Sequence, residues 1–190
     1  QPYSHIHRPG VAVGGHCIPV YPRFYMFNDP AATIPAAARA ANLAMPEYAV
    51  DLLSAAVGDL RGQTVLVLGA AYRGGVMETA FSGVFGLVAA LEERGADAVI
   101  DDPLYTDGTL ERLGLVPFNA DAHRAVGAIV QADHDEYRSL DEDLLAGATV
   151  VVDGRNWVQE VPEGVRRITI GRGETAGSDA NAAGSIGSVA

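Results

Sequence analysis

Residues 64–71 read TVLVLGAA, and this stretch decides the fold. It is a continuous apolar run rich in β-branched residues, which is typical of a strand buried on both faces of a parallel sheet. The residues that follow alternate between helical and strand patterns. We predict helices at 81–96 (with Gly95 as its C-terminal cap), 107–113, 120–127 and 140–146, and strands at 98–102, 128–132, 149–154 and 166–171. This alternation predicts an α/β fold with a parallel sheet and right-handed crossovers.

The residues on either side of the α/β region differ from it in composition. Residues 1–30 are rich in Gly, Pro, His and aromatic residues and are expected to form a loop segment. Residues 31–62 are expected to form a long helix, which Pro46 ends or kinks, and a linker. Residues 63–172 are expected to form the α/β domain, and the small, polar residues 173–190 are expected to form a disordered tail. The apolar stripe of the helix comprises Leu43, Tyr48, Val50, Leu53 and Val57.

Composition excludes several classes of function. With 24 acidic and 13 basic residues, the net charge is −11, which argues against nucleic acid or an anionic membrane as the main partner. No apolar run approaches the roughly 20 residues of a membrane span. All 13 basic residues are arginine, so Schiff-base and P-loop lysines are excluded. The single cysteine, Cys17, excludes an internal disulfide and fits a reducing cytoplasm, where we expect the protein to be located.

The first candidate site is the segment PGVAVGGHCIP at residues 9–19. Its adjacent glycines, Gly14 and Gly15, allow the backbone to approach a ligand closely, and Cys17 follows them. A reactive thiolate needs a nearby positive charge or a helix N-terminus, and Arg8 and His16 are close in sequence. The alternative is a buried, structural cysteine in a turn.

Two further candidates lie at the carboxyl ends of predicted strands, where parallel sheets bind ligands. After the first strand, Tyr72 suits a base or ribose and Arg73 suits a phosphate. Arg155 follows a later strand, on the same edge of the sheet. Two arginines at one edge of an acidic protein are explained by a bound diphosphate. The alternatives are an ordinary strand–helix turn at Tyr72 and Arg73, and a surface salt bridge from Arg155 to Asp153 or Glu78.

Two histidine-containing motifs are weaker candidates. His5 and His7 have the spacing of alternate strand residues, but no third ligand accompanies them, so a metal site is not expected. The run Asp133–Asp135 follows a strand and could orient a ligand, but it is expected rather to cap the next helix.

Taken together, these segments resemble the UDP-glucose/GDP-mannose dehydrogenase family of nucleotide-sugar 6-dehydrogenases. The resemblance extends from residue 1 to about residue 158, and its order matches that of the family. The matching segments are QPYS (1–4), PGVAVGGHCIPVYPRFY (9–25), NLAMPEYAV (42–50), VLVLGAAYRGGVMETAFSG (65–83), DHDEY (133–137) and VVVDGRN (150–156). QPYS favours members of the family that act on UDP-N-acetylhexosamines. The resemblance implies a Rossmann-like UDP-binding domain preceded by a long central helix and an active-site loop segment.

The resemblance also implies an activity. Family members oxidise the C6 alcohol of a UDP-sugar to a carboxylate with two NAD⁺, through a thiohemiacetal and a thioester on a cysteine, here Cys17. Arg73 stands where the family has a lysine that contacts the substrate, and Arg155 matches an arginine of the UDP site. The substrate contacts are thus expected at Gly14, Gly15, Tyr72, Arg73 and Arg155. The resemblance further implies a homodimer through the central helix.

The sequence departs from the family pattern in three places. Tyr21 replaces an aspartate that usually lies four residues after the cysteine, and residues 77–83 keep only Ser82 of the usual stretch. The family's NAD-binding domain has no counterpart in these 190 residues, which lack a G-x-G-x-x-G motif. We therefore expect NAD to bind outside this chain, and the chain alone to be inactive. The alternatives are a non-catalytic UDP-sugar-binding module and a dimerisation module.

Overall fold

The computed structural model describes residues 10–172, and within them the α/β prediction is confirmed. Five parallel strands form one sheet in the order β2-β1-β3-β4-β5. The strands are β1 Thr64–Leu68, β2 Asp97–Asp101, β3 Ala125–Val130, β4 Val150–Asp153 and β5 Arg166–Thr169. The helices are α1 Cys17–Asn28, α2 Thr33–Val57, α3 Gly83–Glu93, α4 Asp107–Arg112 and α5 Glu142–Leu145, with a short 3₁₀ helix at Asp135–Arg138. The tail at 173–190 lies outside the described residues.

Strand β1 is buried on both faces, as its apolar run predicts. Val65 and Val67 pack in a core cluster with residues of α2 and α3, while Leu66 and Leu68 pack in a second cluster around Tyr137. None of these four side chains of β1 is exposed. Successive side chains of a strand point to opposite faces of the sheet. Because each face of β1 packs in a different cluster, all four of these residues have to be apolar.

Helix α2 continues through Pro46 to Val57, so the expectation that Pro46 ends a helix is wrong. Pro46 is buried, and a methyl group on Gly86 of α3 would lie 2.7 Å from the Pro46 ring, so the two helices pack closely here. Leu53 is also buried, and a methyl group on Gly127 of β3 would lie 2.5 Å from its Cδ1. The second half of α2 is thus seated on α3 and on the sheet.

The first half of α2 and much of α1 expose large apolar side chains. The exposed fraction is 82% for Ile34 and 65% for Leu43. Helices α1 and α2 enclose a largely apolar groove of ≈ 480 Å³. Its lining residues are Val13, Ile18, Tyr21, Pro22, Tyr25, Pro35, Ala38, Arg39 and Asn42. No helix within residues 10–172 is long and apolar enough to cross a membrane.

Two sequence-based expectations for secondary structure are wrong. Residues 17–28, expected to be loop, form α1. Pro19 lies in the first turn of α1, where a backbone N–H has no helical partner, so only Pro22 costs the helix a hydrogen bond. The helix expected at 120–127 does not form, because β3 already begins at Ala125. Of its three alanines, Ala125 is buried in β3, whereas Ala120 and Ala122 lie exposed before the strand.

Candidate functional site

The segment from Gly10 to His16, which we call the thiol loop, leads directly into helix α1. Cys17 is the first residue of α1, His16 is its N-cap, and the thiol-bearing residue is exposed. The alternative that Cys17 is a buried core residue is therefore wrong. A helix N-terminus favours a negative charge, so this position suits a thiolate.

Gly14 and Gly15 fasten the thiol loop to the turn after β1. The Gly15 N–H donates to the Ala80 carbonyl at 2.8 Å, and Gly15 has a φ of +87°, which favours glycine. A methyl group on Gly14 would lie 2.5 Å from Tyr72 Cβ. Beside this contact, His16 Nε2 lies 3.3 Å from Glu78 Oε2. The structure thus brings together Gly14, Gly15 and Tyr72, three of the residues expected to contact a substrate.

Asn42 of helix α2 holds the thiol loop from the other side. Its Oδ1 accepts the Val13 N–H at 2.7 Å, and its Nδ2 donates to the Val13 carbonyl at 3.5 Å. Sequence reasoning quoted Asn42 only as part of a motif and gave it no role. A polar amide within an apolar helical stretch is the signal that could have found it.

Tyr21 lies one helical turn after Cys17, on the exposed surface of α1. A hydrogen bond with the Cys17 thiol, together with the charge that this thiol can carry, raises the pKa of Tyr21 above its ordinary value. The residue that replaces the expected aspartate is thus a neighbour of the thiol, and it stays protonated at neutral pH.

The turn after β1 carries Tyr72 and Arg73 and is held by a buried carboxylate. Asp102 Oδ2 accepts the N–H groups of Ala70 at 2.8 Å and Ala71 at 3.2 Å. Tyr72 is half-buried, whereas Arg73 is exposed, with its guanidinium carbon 5.8 Å from the centre of the Tyr72 ring. Arg73 Nη1 donates to the Gly74 carbonyl at 3.1 Å, and its exposed guanidinium keeps further N–H donors with which it can bind a ligand.

Asp102 also contacts His134, which belongs to the run expected to cap the next helix. His134 Nε2 lies 3.2 Å from Asp102 Oδ2, and its Nδ1 accepts the Gly75 N–H at 3.4 Å. Because Nδ1 is the acceptor, the proton of the neutral ring lies on Nε2 and is donated to Asp102. His134 precedes the 3₁₀ helix without a capping hydrogen bond from its side chain, so the capping expectation is wrong for it.

Arg155 is anchored at the carboxyl end of β4. Its Nη2 donates to Asp133 Oδ1 at 2.9 Å, and its side chain is 18% exposed. The alternative of a salt bridge from Arg155 to Asp153 or Glu78 is therefore wrong, because the partner is Asp133. Asp153 is fully buried and its carboxylate instead accepts backbone N–H groups, those of Arg155, Trp157 and Val158. A methyl group on Gly10 would lie 2.8 Å from Arg155 Nη1, so the thiol loop begins beside this guanidinium.

Two adjacent carboxyl groups at the end of β2 have pKa values shifted in opposite directions. Burial raises the pKa of Asp101, and the hydrogen bond from Tyr137 offsets this only in part. Burial would also raise the pKa of Asp102, but hydrogen bonds from His134 and from the Leu104 N–H outweigh it, so its pKa is lowered. Asp102 is therefore ionised while it holds the turn.

These shifts predict opposite effects on acid stability. Asp102 stabilises the fold above its unfolded-state pKa and loses that contribution as the pH falls through its lower, folded-state pKa. Asp101 has the reverse sign, because its folded-state pKa is the higher one. We expect Asp102→Asn to flatten the rise of unfolding free energy with pH, and Asp101→Asn to steepen it, each by at most about 1.4 kcal/mol per pH unit. Urea unfolding at a series of acidic pH values measures both slopes, and equal slopes in the two variants would contradict the assignment.

The residues present do not fit a dinucleotide bound in the Rossmann manner. That mode uses the backbone N–H groups of the turn after β1, whereas here the N–H groups of Ala70 and Ala71 donate to Asp102. Helix α3 also begins only at Gly83, well after β1 ends at Leu68. Within residues 10–172 no three His, Cys, Asp or Glu side chains are grouped to hold a metal ion, and His5 and His7 lie outside the described residues.

Comparison with known proteins identifies relatives of this chain. The sequence profile of the UDP-glucose/GDP-mannose dehydrogenase family, UDP binding domain, matches residues 66–160. The UDP-N-acetyl-D-mannosamine dehydrogenase of Pyrococcus horikoshii is 32% identical over 92% of this chain and 42% of its own length. The UDP-glucose 6-dehydrogenase AglM of Haloferax volcanii is 34% identical over 78% of this chain and 36% of its own length.

A solved structure of one of these relatives also has a similar fold. The structure of the Pyrococcus horikoshii UDP-D-ManNAc dehydrogenase matches with a TM-score of 0.70 and 27% identity, covering 91% of this chain and 42% of that one. The chain thus spans less than half the length of each relative named here.

Proposed function

Because this chain belongs to the UDP-glucose/GDP-mannose dehydrogenase family, we propose that it supplies the thiol and the UDP-sugar site of a nucleotide-sugar 6-dehydrogenase. The observation that carries the proposal is the meeting of three segments. The thiol loop contacts Tyr72 through Gly14 and reaches Arg155 through Gly10. One protein region therefore combines a nucleophile, an aromatic ring and two guanidinium groups.

In this proposal, residues of the chain hold the nucleotide and present the thiol. Arg155 and Arg73 bind the diphosphate, because a guanidinium makes charge-assisted hydrogen bonds to its oxygens. Tyr72 packs on the base or ribose. The Cys17 thiolate adds to the carbonyl carbon of a C6 aldehyde, and the resulting alkoxide takes up a proton to give a thiohemiacetal. NAD supplies the hydride-transfer chemistry when bound, and the residues of this chain hold the nucleotide and the thiol.

The substrate we propose is a UDP-N-acetylhexosamine, supported by QPYS at residues 1–4 and by the activity named for the Pyrococcus relative. The unit that binds it is residues 63–172, which include the matched UDP-binding domain. We propose the cytoplasm as its location, where a free thiol stays reduced.

Titration calorimetry on the 190-residue chain tests this function. We expect heat on adding UDP or UDP-N-acetyl-D-mannosamine and none on adding NAD⁺, since the turn after β1 has committed its N–H groups to Asp102. Binding of NAD⁺ with no response to UDP would overturn the proposal. A chain that binds neither would favour the dimerisation-module alternative.

We also propose a homodimer through helix α2. This helix exposes Ile34 and Leu43 in its first half and Tyr48 in its second, and an apolar face of this kind is stabilised by a partner surface. We expect sedimentation at micromolar concentrations to give the mass of two chains, and Leu43→Glu to shift it toward one. A control, Val116→Glu, changes an exposed apolar residue outside α2 and should leave the mass unchanged. A wild-type chain that sediments as a monomer would contradict the prediction.

A further inference from the structure

The chain that leaves strand β3 lies between the two turns that carry the proposed ligands of UDP. In the sheet, β3 is flanked by β1 and β4. The turn after β1 carries Tyr72 and Arg73, and the loop after β4 carries Arg155. The residues that directly follow β3 therefore lie next to the turn after β1 and next to the loop after β4.

Asp133 makes both contacts through a single oxygen atom. Its Oδ1 accepts the Gly74 N–H at 2.9 Å and the Arg155 Nη2 at 2.9 Å. The approach to the turn is close, because a methyl group on Gly74 would lie 2.0 Å from the Asp133 carbonyl oxygen. On the other side, the Trp157 indole N–H donates to the His134 carbonyl at 2.8 Å, which fastens the same segment to the loop after β4.

The ion pair between Asp133 and Arg155 is partly shielded from water. The side chains are 32% and 18% exposed. Burial by itself would raise the pKa of Asp133, but the Gly74 N–H and the Arg155 charge outweigh it, so its pKa is lowered. Asp133 is therefore ionised at neutral pH and holds the guanidinium in one orientation. The guanidinium has five N–H donors, and the bond to Asp133 uses only one of them.

We propose that Asp133 is a positioning residue of the UDP site, which sets the guanidinium of Arg155 and the Tyr72–Arg73 turn in register with each other. This inference rests on the proposed function, because it requires that the two elements bind one ligand. The hydrogen bond to Asp133 already restricts the rotamers of Arg155 before the ligand binds. Arg155 therefore loses less conformational entropy when it binds a diphosphate. Asp133 does not itself touch the ligand.

The test measures the Kd of UDP by calorimetry on the 190-residue chain and its variants. We expect Asp133→Ala to raise Kd by about tenfold or more, since it removes both contacts. Asp133→Asn retains an acceptor oxygen and is expected to stay within about threefold of the wild type. The matched control is Asp135→Ala, which removes an exposed aspartate of the same segment that pairs with Arg138, and it should leave Kd unchanged.

A double-mutant cycle separates positioning from a general loss of structure. In an Arg155→Ala background, we expect Asp133→Ala to weaken UDP binding by no more than about threefold, because the residue it positions is gone. An equal loss in both backgrounds, or no loss in either, would overturn the inference. If Asp133→Ala does not fold, Asp133→Glu replaces it, since this variant keeps the charge but displaces the oxygen, and a wild-type affinity for UDP would then refute the role. A wild-type chain that fails to bind UDP refutes the proposed function instead.

Discussion

Under the proposed function, replacing Cys17 by serine in an enzyme that combines this chain with an NAD-binding domain is expected to lower kcat by on the order of a thousandfold or more. A thiolate at the first position of a helix is a strong nucleophile toward an aldehyde, whereas a serine hydroxyl without a general base is a weak one. The thioester that forms later also has no efficient counterpart on serine. The measurement is steady-state turnover of the UDP-sugar with NAD⁺, and full activity in the variant would show that the thiol takes no part.

Two controls accompany this substitution. The Kd for the UDP-sugar should change by less than about twofold, because serine preserves the shape of the loop and its hydrogen bonds. In the unmodified chain, iodoacetamide should label Cys17, and bound UDP-sugar should slow the labelling. Since Cys17 is the single cysteine of the sequence, the extent of labelling reports on one site. An unreactive thiol in the folded chain would contradict its assignment as the nucleophile.

Arg155→Ala is expected to weaken UDP-sugar binding by about 1.5–3 kcal/mol, or one to two orders of magnitude in Kd. The substitution removes charge-assisted hydrogen bonds to the diphosphate and leaves Asp133 without its cation. Added salt should weaken the binding of the wild type more than that of the variant, because screening acts on the same charges.

Arg61→Ala is the matched control for Arg155→Ala. Arg61 also pairs with an aspartate, Asp59 at 2.7 Å, but it lies just before β1, at the amino end of the strand. Its loss should leave the Kd for UDP unchanged. An unchanged Kd for Arg155→Ala as well would make its ion pair purely structural.

The sheet could be predicted because its signal is local. The apolar run at 64–71 and the later runs around 98–102 and 149–154 each contain the residues that both faces of a parallel strand require. The errors came where local propensity and tertiary packing disagree. The helix predicted at 120–127 overlaps the first three residues of β3, where the absence of a side chain at Gly127 lets Leu53 of α2 pack against the strand.

The site could be predicted as far as residue chemistry goes. A thiol after two glycines, and arginines at strand ends, are visible in the sequence, and the structure brings the thiol loop against both Tyr72 and Arg155. The supporting residues Asn42, Asp102 and Asp133 could not be given their roles in the same way. Each acts on backbone 29 or more residues away in the chain, so its function depends on the packing of distant elements.

The hydrogen bonds that these three side chains accept determine which positions of the site tolerate substitution. Asn42, Asp102 and Asp133 all accept hydrogen bonds from main-chain N–H groups, and every residue except proline provides such a group. Substitutions at the donating positions, such as Val13 and Ala70, can therefore accumulate without breaking the contact, provided that they fit the space. The accepting positions have no such latitude. Mutational tolerance should thus be higher at Val13, which donates through its backbone and exposes its side chain, than at the carboxylates and the amide that accept these hydrogen bonds.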